Sequence, residues 1–349
     1  MPKLYGSIYN IAFMKQRLAR VLFTLGTICL IHSGVQAQDP QYSQFYANQV
    51  MLNPAFTGSG IGYRFALNYR AQWVGIPGYY KQTAFAFDMP LYIGSTTQGV
   101  GVSVTNDVAG EGNLARTNVL LNYAYEIPLT DARDGGHTLR LGLSGGFQQA
   151  SIDFYKLRFP DQIDPQDGFV RPTADPLFIL NVRKSMREDV NAGLLYYNNY
   201  AFVSFSAEHL TTPLQTFGDF KGKEARLPMK YTLSGGMRIP LGDFREPDKL
   251  SITPVFLAKM QGPFFQFDVG TYVNIEPMVF GFWYRHQDAV VALIGVQKGP
   301  FSLGYSYDYT VSSLTNSISQ GSHEISLGLQ FAKDPKITKK WRSYPCPKF

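Results

Sequence analysis

Apolar and polar residues alternate with a period of two over most of the chain. The clearest case runs from Phe301 to Phe331, where Phe301, Leu303, Tyr305, Tyr307 and Tyr309 alternate with Ser302, Gly304, Ser306 and Asp308. After a polar loop, Ile325, Leu327, Leu329 and Phe331 alternate with Glu324, Ser326, Gly328 and Gln330. Such alternation makes a strand with two unlike faces. Here the apolar face is rich in aromatics, and the other is too small and polar for a packed core. A soluble sandwich also alternates, but it turns its apolar face inward and puts charge outside. The pattern therefore predicts an all-β fold, a transmembrane antiparallel β-barrel with lipid outside and water or polar side chains inside.

The same pattern recurs upstream. Phe65, Leu67, Tyr69, Ala71 and Trp73 alternate with Arg64, Asn68, Arg70 and Gln72. Further strands are expected over Tyr80–Asp88, Val100–Thr105, Asn118–Ile127 and from Leu139 toward Ser151. The longest gap, Ile152 to Asp189, holds Pro160, Pro165, Pro172 and Pro176 and reads as loop, with one short strand at Phe178–Val182. Val190–Tyr197 and Ala201–Glu208 form a hairpin around Asn198-Asn199, residues that tolerate a tight turn. A loop from His209 to Met229 precedes strands at Lys230–Pro240, Leu250–Met260, Phe264–Val273, Met278–His286 and Ala289–Gln297. With the Phe301–Phe331 pair, the count is about fourteen. An even number lets the barrel close with both termini on one side, and closure removes edges that lipid cannot satisfy. It also puts the long connections (Asp107–Arg116, Ile152–Asp189, His209–Met229, Thr310–Gly321) at the extracellular end. The short ones (Asn198-Asn199, Asn274–Pro277, Lys298–Pro300) fall in the periplasm.

The flanks do not alternate. Val21–Ile31 is an apolar run behind Lys15, Arg17 and Arg20, and it ends in Val35-Gln36-Ala37. Residues 1–37 therefore read as a signal peptide with an N-terminal extension before Met14, cleaved ahead of Gln38. Residues 38–61 form an irregular periplasmic lead-in with one helical turn, serving as a tethered terminus, a plug or a periplasmic contact. Residues 62–332 are the barrel, and 333–349 a basic, aromatic periplasmic tail. In that tail Lys333, Lys336, Lys339, Lys340, Arg342 and Lys348 face a single acid, Asp334. The tail is either a solvated basic segment or a docking peptide for a periplasmic partner with Trp341, Tyr344 and Phe349 as anchors, aromatics that a mere solubiliser does not need.

Composition adds limits. Twenty-six Phe and 22 Tyr against three Trp, with 33 Gly and 17% charged residues, suit many strands and aromatic girdles. No apolar window near twenty residues follows residue 37, so no transmembrane helix is expected. Once the signal peptide with Cys29 is gone, Cys346 is alone and no internal disulfide can form. The net charge of +6 is modest, and an exported chain meets no nucleic acid. The inward set of charges would be Arg64, Arg70, Asp88, Glu126, Arg140, Arg238, Asp268, Arg285, Asp308 and Glu324, either a polar network or the lining of a channel. His137, His209, His286 and His323 show no metal-ligand spacing, and no nucleophile elbow occurs. The reading is of a non-enzymatic protein without cofactor or metal.

Three stretches carry a resemblance. Asp39-Pro40-Gln41-Tyr42-Ser43-Gln44-Phe45 with Leu52-Asn53-Pro54-Ala55 resembles the start of PorP/SprF family proteins. Gly321-Ser322-His323-Glu324-Ile325-Ser326-Leu327 resembles the family's last-strand signature, and Cys346-Pro347-Lys348-Phe349 its usual terminus. The resemblance implies an outer-membrane barrel of Bacteroidota associated with type IX secretion and gliding motility. It would help display or anchor a large secreted surface protein, such as an adhesin, through that protein's C-terminal domain. Its periplasmic partners would be secretion components or a peptidoglycan-binding lipoprotein. Asn53 and Pro54 would then fix the lead-in, because proline sets its own φ and restrains the residue before it, or would simply make the turn into the first strand. His323 and Glu324 would tie the outer loops or make a structural hydrogen bond. The alternative is a passive porin or small-solute channel.

Overall fold

The computed structural model describes Asp39 and residues 41–332, apart from 94–95, 131–135, 165, 167, 170–171, 176–177, 179–183, 216, 218–224 and 242–249. Fourteen antiparallel staves close into one barrel. They are β1 Gly62–Gln72, β2 Tyr80–Ile93, β3 Thr96–Ala109, β4 Leu114–Pro128, β5 Thr138–Ser151, β6 Lys184–Tyr197 and β7 Ala201–Glu208. The second half comprises β8 Lys230–Met237, continued by Ile239–Pro240, β9 Leu250–Gln261, β10 Phe264–Ile275, β11 Met278–Arg285, β12 Ala289–Lys298, β13 Phe301–Thr310 and β14 Ser322–Ala332. Each stave pairs with the next, and β1 pairs with β14 from Gly62↔Ala332 to Gln72↔Ser322, which seals the cylinder.

Alternation sorts the side chains as expected. On β13, Phe301, Leu303, Tyr305 and Tyr309 are exposed on the outside, while Ser302, Ser306, Asp308 and Thr310 are buried inside. The staves reach further at the long-loop end than the pattern suggested. β6 begins at Lys184 rather than Val190, and β3 and β4 continue to a turn at Gly110–Asn113. The physical reason is that strand ends beyond the bilayer meet water on both faces, so nothing there demands outward apolar residues. The loop between β5 and β6 also holds a two-stranded pairing of Ile163–Asp164 with Gly168–Phe169. The short strand expected at Phe178–Val182 lies outside the described residues, Phe178 excepted.

The lead-in lies inside the barrel, which agrees with the plug among its expected roles and departs from its expected periplasmic placement. Ser43–Tyr46, Asn48–Val50 and Leu52–Gly58 are buried there. The segment folds as one helical turn, α1 Gln49–Leu52, and a 3-10 turn, Pro54–Phe56. The lumen it fills has two unlike walls. Inward positions of β7 and β9–β12 carry an apolar patch, Phe202, Val255, Leu257, Tyr272, Val279, Trp283, Val291 and Leu293, beside polar residues such as Ser204, Thr253, Gln266 and Arg285. Those of β1 and β3–β6 are mostly small and polar, including Asn68, Ser103, Asn122, Ser144 and Asn191. The lead-in puts Phe45, Tyr46, Leu52 and Phe56 against the apolar wall, forming the one large hydrophobic cluster of the described residues. Burying each such side chain is worth roughly 1.5–3 kcal/mol, so this contact alone can hold the segment in place.

Candidate functional site

The site is the seat of this internal plug, and it has three levels. Near the long-loop rim, Asp39 sits in a clasp of charges. His209 Nε2 lies 2.7 Å from Asp39 Oδ2, and its Nδ1 lies 2.9 Å from Asp189 Oδ2. Lys230 Nζ lies 3.3 Å from Asp39 and 2.6 Å from Glu208. Burial alone would lower the His209 pKa, but Asp39 and Asp189 raise it to about 10, so the imidazolium is the resting form. Asp39, Glu208 and His209 present ligand atoms within 4.8 Å of one another. The Lys230 ammonium already supplies a cation there, and the cluster is a salt-bridged clasp in this structure.

Below the rim, Ser43 and Gln44 are bound from several staves at once. The Ser43 hydroxyl donates to Asp308 Oδ2 at 2.6 Å and accepts from Arg70 Nη1 at 2.8 Å and Arg285 Nη2 at 3.0 Å. Glu324 accepts from the Ser43 backbone N–H at 2.7 Å, the Gln44 N–H at 3.2 Å and the Asn68 amide at 3.1 Å. The Gln44 side chain donates to Ser306 Oγ and the Glu324 carbonyl, and accepts from Ser326 Oγ at 2.6 Å. Arg70 bridges Asp308 at 2.8 Å and Glu324 at 3.5 Å, both buried. Buried charges are costly unless paired, and here the plug completes the pairing. Next along the segment, Phe45 packs edge-on to Trp283 with ring centres 4.8 Å apart, and Tyr46 meets Phe202 and Tyr272 at 5.8 and 6.1 Å.

Toward the short-turn end the plug is clamped by its backbone. Asn53 donates its amide to the carbonyls of Leu194 and Phe205 at 3.0 and 2.9 Å, and its Oδ1 accepts from Ala55 N–H at 2.8 Å. Pro54 follows at the first position of the 3-10 turn, where its missing N–H costs nothing. Arg140 donates to the Ala55 and Thr57 carbonyls and to Glu126. Asp88 accepts from the Gly58 N–H at 2.7 Å and pairs with Arg64, which also donates to the Phe56 carbonyl. Glycines make room for this turn. A Cβ on Gly142 would lie 2.2 Å from Ala55 N, one on Gly99 1.9 Å from the Thr57 carbonyl oxygen, and one on Gly193 1.8 Å from Asn53 Oδ1.

Of the residues singled out from sequence, Glu324 belongs to the plug seat at the Ser43 level, and Asn53 and Pro54 to the plug's lower turn. His323 does not join them: it lies on the outward side, where its Nδ1 is 2.8 Å from Tyr305 Oη. Neither it nor Glu324 bonds an outer loop in the described residues. Trp341, Tyr344 and Phe349 lie outside the described residues. The expected inward charges do face the lumen, and eight of the ten, Arg70, Asp88, Arg140, Arg238, Asp268, Arg285, Asp308 and Glu324, are buried. Sequence reasoning missed Ser43, Gln44, the rim clasp and the glycine groove. One signal favours the plug among the roles open to the lead-in: Val255, Leu257, Tyr272, Val279, Trp283, Val291 and Leu293 fall at inward positions of β9–β12, and such a patch of lumen wall needs an apolar cover.

A family model described as "Type IX secretion system membrane protein PorP/SprF" matches residues 34–329, and so spans both the plug and nearly the whole barrel. The chain belongs to the PorP/SprF family. Solved structures share the barrel fold only. The Pseudomonas putida toluene transporter TodX is 8% identical over 82% of this chain and 95% of its own, with a TM-score of 0.44. A Pseudomonas aeruginosa FadL homologue is 12% identical over 85% and 95%, also with a TM-score of 0.44. BamA from Haemophilus ducreyi lacking POTRA domains 1–3 is 9% identical over 77% and 70%, with a TM-score of 0.39. No curated protein matches the chain. This PorP/SprF protein is thus an outer-membrane barrel of the type IX secretion system with its own N-terminal segment in its lumen.

Proposed function

We propose that this barrel is a non-conducting, non-enzymatic anchor for a large secreted surface protein. The extracellular loops hold that protein's C-terminal domain, while the tail, through Trp341, Tyr344 and Phe349, contacts periplasmic secretion or peptidoglycan-binding components. Residues 1–37 export the chain and are cleaved ahead of Gln38. The observation that carries the reading is the plug, seated by ion pairs, backbone clamps and an aromatic wall. A passive diffusion pore depends on an open lumen, which this plug occupies, whereas a barrel that serves as a fixed post gains rigidity from it.

The porin alternative retains two supporting observations, cavities of about 100 Å³ and 210 Å³ between the plug and the barrel wall. Two measurements separate the readings. The full-length protein and a chain stopped at Ala332 are purified from native membrane in mild detergent, and what accompanies each is identified. Both are also inserted into planar bilayers. The anchor reading expects a large secreted protein with both forms, periplasmic components with the full chain only, and no ion current. Proteins that come out alone and conduct steadily would refute it in favour of the porin.

A further inference from the structure

At the long-loop rim, away from the plug, a second pocket of about 120 Å³ lies between the ends of β4, β5 and β6 and the loop after β7. Strand register builds its polar half. Arg116 of β4 sits opposite Ala150 of β5, and Ala150 opposite Ser185 of β6. One inward row below, Gln148 of β5 sits opposite Arg187 of β6. The two guanidinium groups therefore stand diagonally across β5, with the small Ala150 leaving space between them. Leu114, Leu214 and Phe217 supply an apolar side.

The hydrogen-bond inventory of this pocket is one-sided. Arg187 Nε, Gln215 Nε2 and Ser185 Oγ are all buried without a partner, and Ser185 is only 8% exposed. The first two atoms can only donate, and the third can donate. Arg116 donates to Gln215 Oε1 at 2.8 Å, which fixes the amide so that its nitrogen remains unmet. Asp107, opposite Arg116 on β3, offsets one positive charge. Arg187 has no carboxylate partner among the described residues, its only bond being to the Met186 carbonyl. Buried donors without acceptors are rare, and three around one cavity with a surplus cation describe a site that lacks an anionic acceptor. A carboxylate satisfies a guanidinium and neighbouring N–H and O–H donors together. The volume is a little below that of an engineered cavity that holds benzene, roughly 150 Å³, so a few apolar carbons fit beside Leu114, Leu214 and Phe217.

We infer that this rim pocket binds a carboxylate carried on a short apolar group. The chemistry is that of a peptide's C-terminal carboxylate behind an apolar residue, or of a free short-chain acid. The inference stands independently of the anchor reading. The test uses the full-length protein in detergent micelles at low salt, with carboxyl-labelled 13C-butyrate as the NMR probe, because butyrate is too polar to partition into the micelle. Butyramide, the neutral isostere, is the control ligand. Butyrate should bind saturably and butyramide at least about tenfold more weakly, as expected for loss of charge-assisted bonds. Arg187→Gln should weaken butyrate about tenfold, Ser185→Ala by a smaller factor, and Lys156→Gln, on an exposed turn, not at all; heat-modifiable gel mobility checks that each variant is folded. A tetrapeptide ending in valine, with free or amidated C-terminus, separates the sources. Displacement of butyrate only by the free acid form identifies a chain terminus, and failure of both peptides to compete identifies a small free acid. If butyrate does not bind, if butyramide binds equally, or if folded Arg187→Gln and Ser185→Ala both bind like the parent, the inference is overturned.

Discussion

Replacing Glu324 with Ala should free the rim half of the plug while leaving its lower half seated. Glu324 is wholly buried and accepts the backbone N–H groups of Ser43 and Gln44. Bonds to a charged acceptor contribute about 1.5–3 kcal/mol each, so the two together hold this stretch by roughly 3–6 kcal/mol. At about 1.4 kcal/mol per factor of ten, amide exchange in Ser43–Asn48 should accelerate by roughly two to four orders of magnitude. Arg70 keeps its partner Asp308 at 2.8 Å, so no cation is stranded and the barrel stays closed. Asn53–Gly58 keep Arg140, Asp88 and the Leu194 and Phe205 carbonyls, so their exchange should hardly change. Glu324→Gln retains one acceptor oxygen without the charge and should fall between. His323→Phe, next in sequence but on the opposite face, loses only the Tyr305 bond and should leave the plug untouched, at a stability cost of about 1 kcal/mol. Hydrogen exchange followed by mass spectrometry on micelle-embedded protein resolves the two segments. Unchanged exchange at Ser43–Asn48, or equal acceleration of both segments, would show that Glu324 does not hold the plug in this way.

Gly142→Val places a side chain where Ala55 N already stands 2.2 Å from the Cβ position, so the 53–58 turn must lift; whereas Gly145→Ala meets nothing within 4 Å. The first should destabilise by about 1–3 kcal/mol or more and open the turn to limited proteolysis, and the second should do neither. Arg140→Met strands the Ala55 and Thr57 carbonyls and leaves Glu126 with the Tyr197 hydroxyl but no cation. Chemical unfolding should register about 3–5 kcal/mol, and a loss under 1 kcal/mol would mean that the clamp is not engaged. The rim clasp should weaken at high pH. His209 has a folded pKa of about 10 against about 6.5 unfolded, so its contribution is complete below about pH 6.5 and disappears as pH rises through 10. The Tm difference between the parent and His209→Gln should therefore be largest near pH 6 and vanish by about pH 11, and a difference that grows with pH would contradict the assignment.

The barrel was legible because bilayer and water impose opposite demands on alternate residues, and the fourteen staves follow that imprint closely. It failed where the demand lapses, as on β6, whose first six residues, Lys184–Asp189, stand beyond the apolar belt and read as loop. A plug stood among the roles open to the lead-in, but its seat was illegible for a different reason. The plug's residues bury themselves in non-periodic conformations, so Tyr42–Phe56 carries no alternation to detect. Its partners are single residues from staves far apart in sequence: Ser43 meets Arg70, Arg285, Asp308 and Glu324. Asn53 and Pro54 could be picked out as a fixed point, but their binding surface could not. That surface consists of two backbone carbonyls and of glycines at 142 and 193, whose contribution is the absence of a side chain. The inward charges could be named in advance, yet their purpose depended on what filled the lumen. Arg70, Arg285, Asp268, Asp308 and Glu324 around open water would be a channel lining; around the Ser43 hydroxyl and backbone they are a socket. The apolar wall decides between these physically. Tyr272, Trp283, Val291 and Leu293 could not face open water without a cost of roughly 1.5–3 kcal/mol each, and the aromatic residues of the lead-in remove that cost.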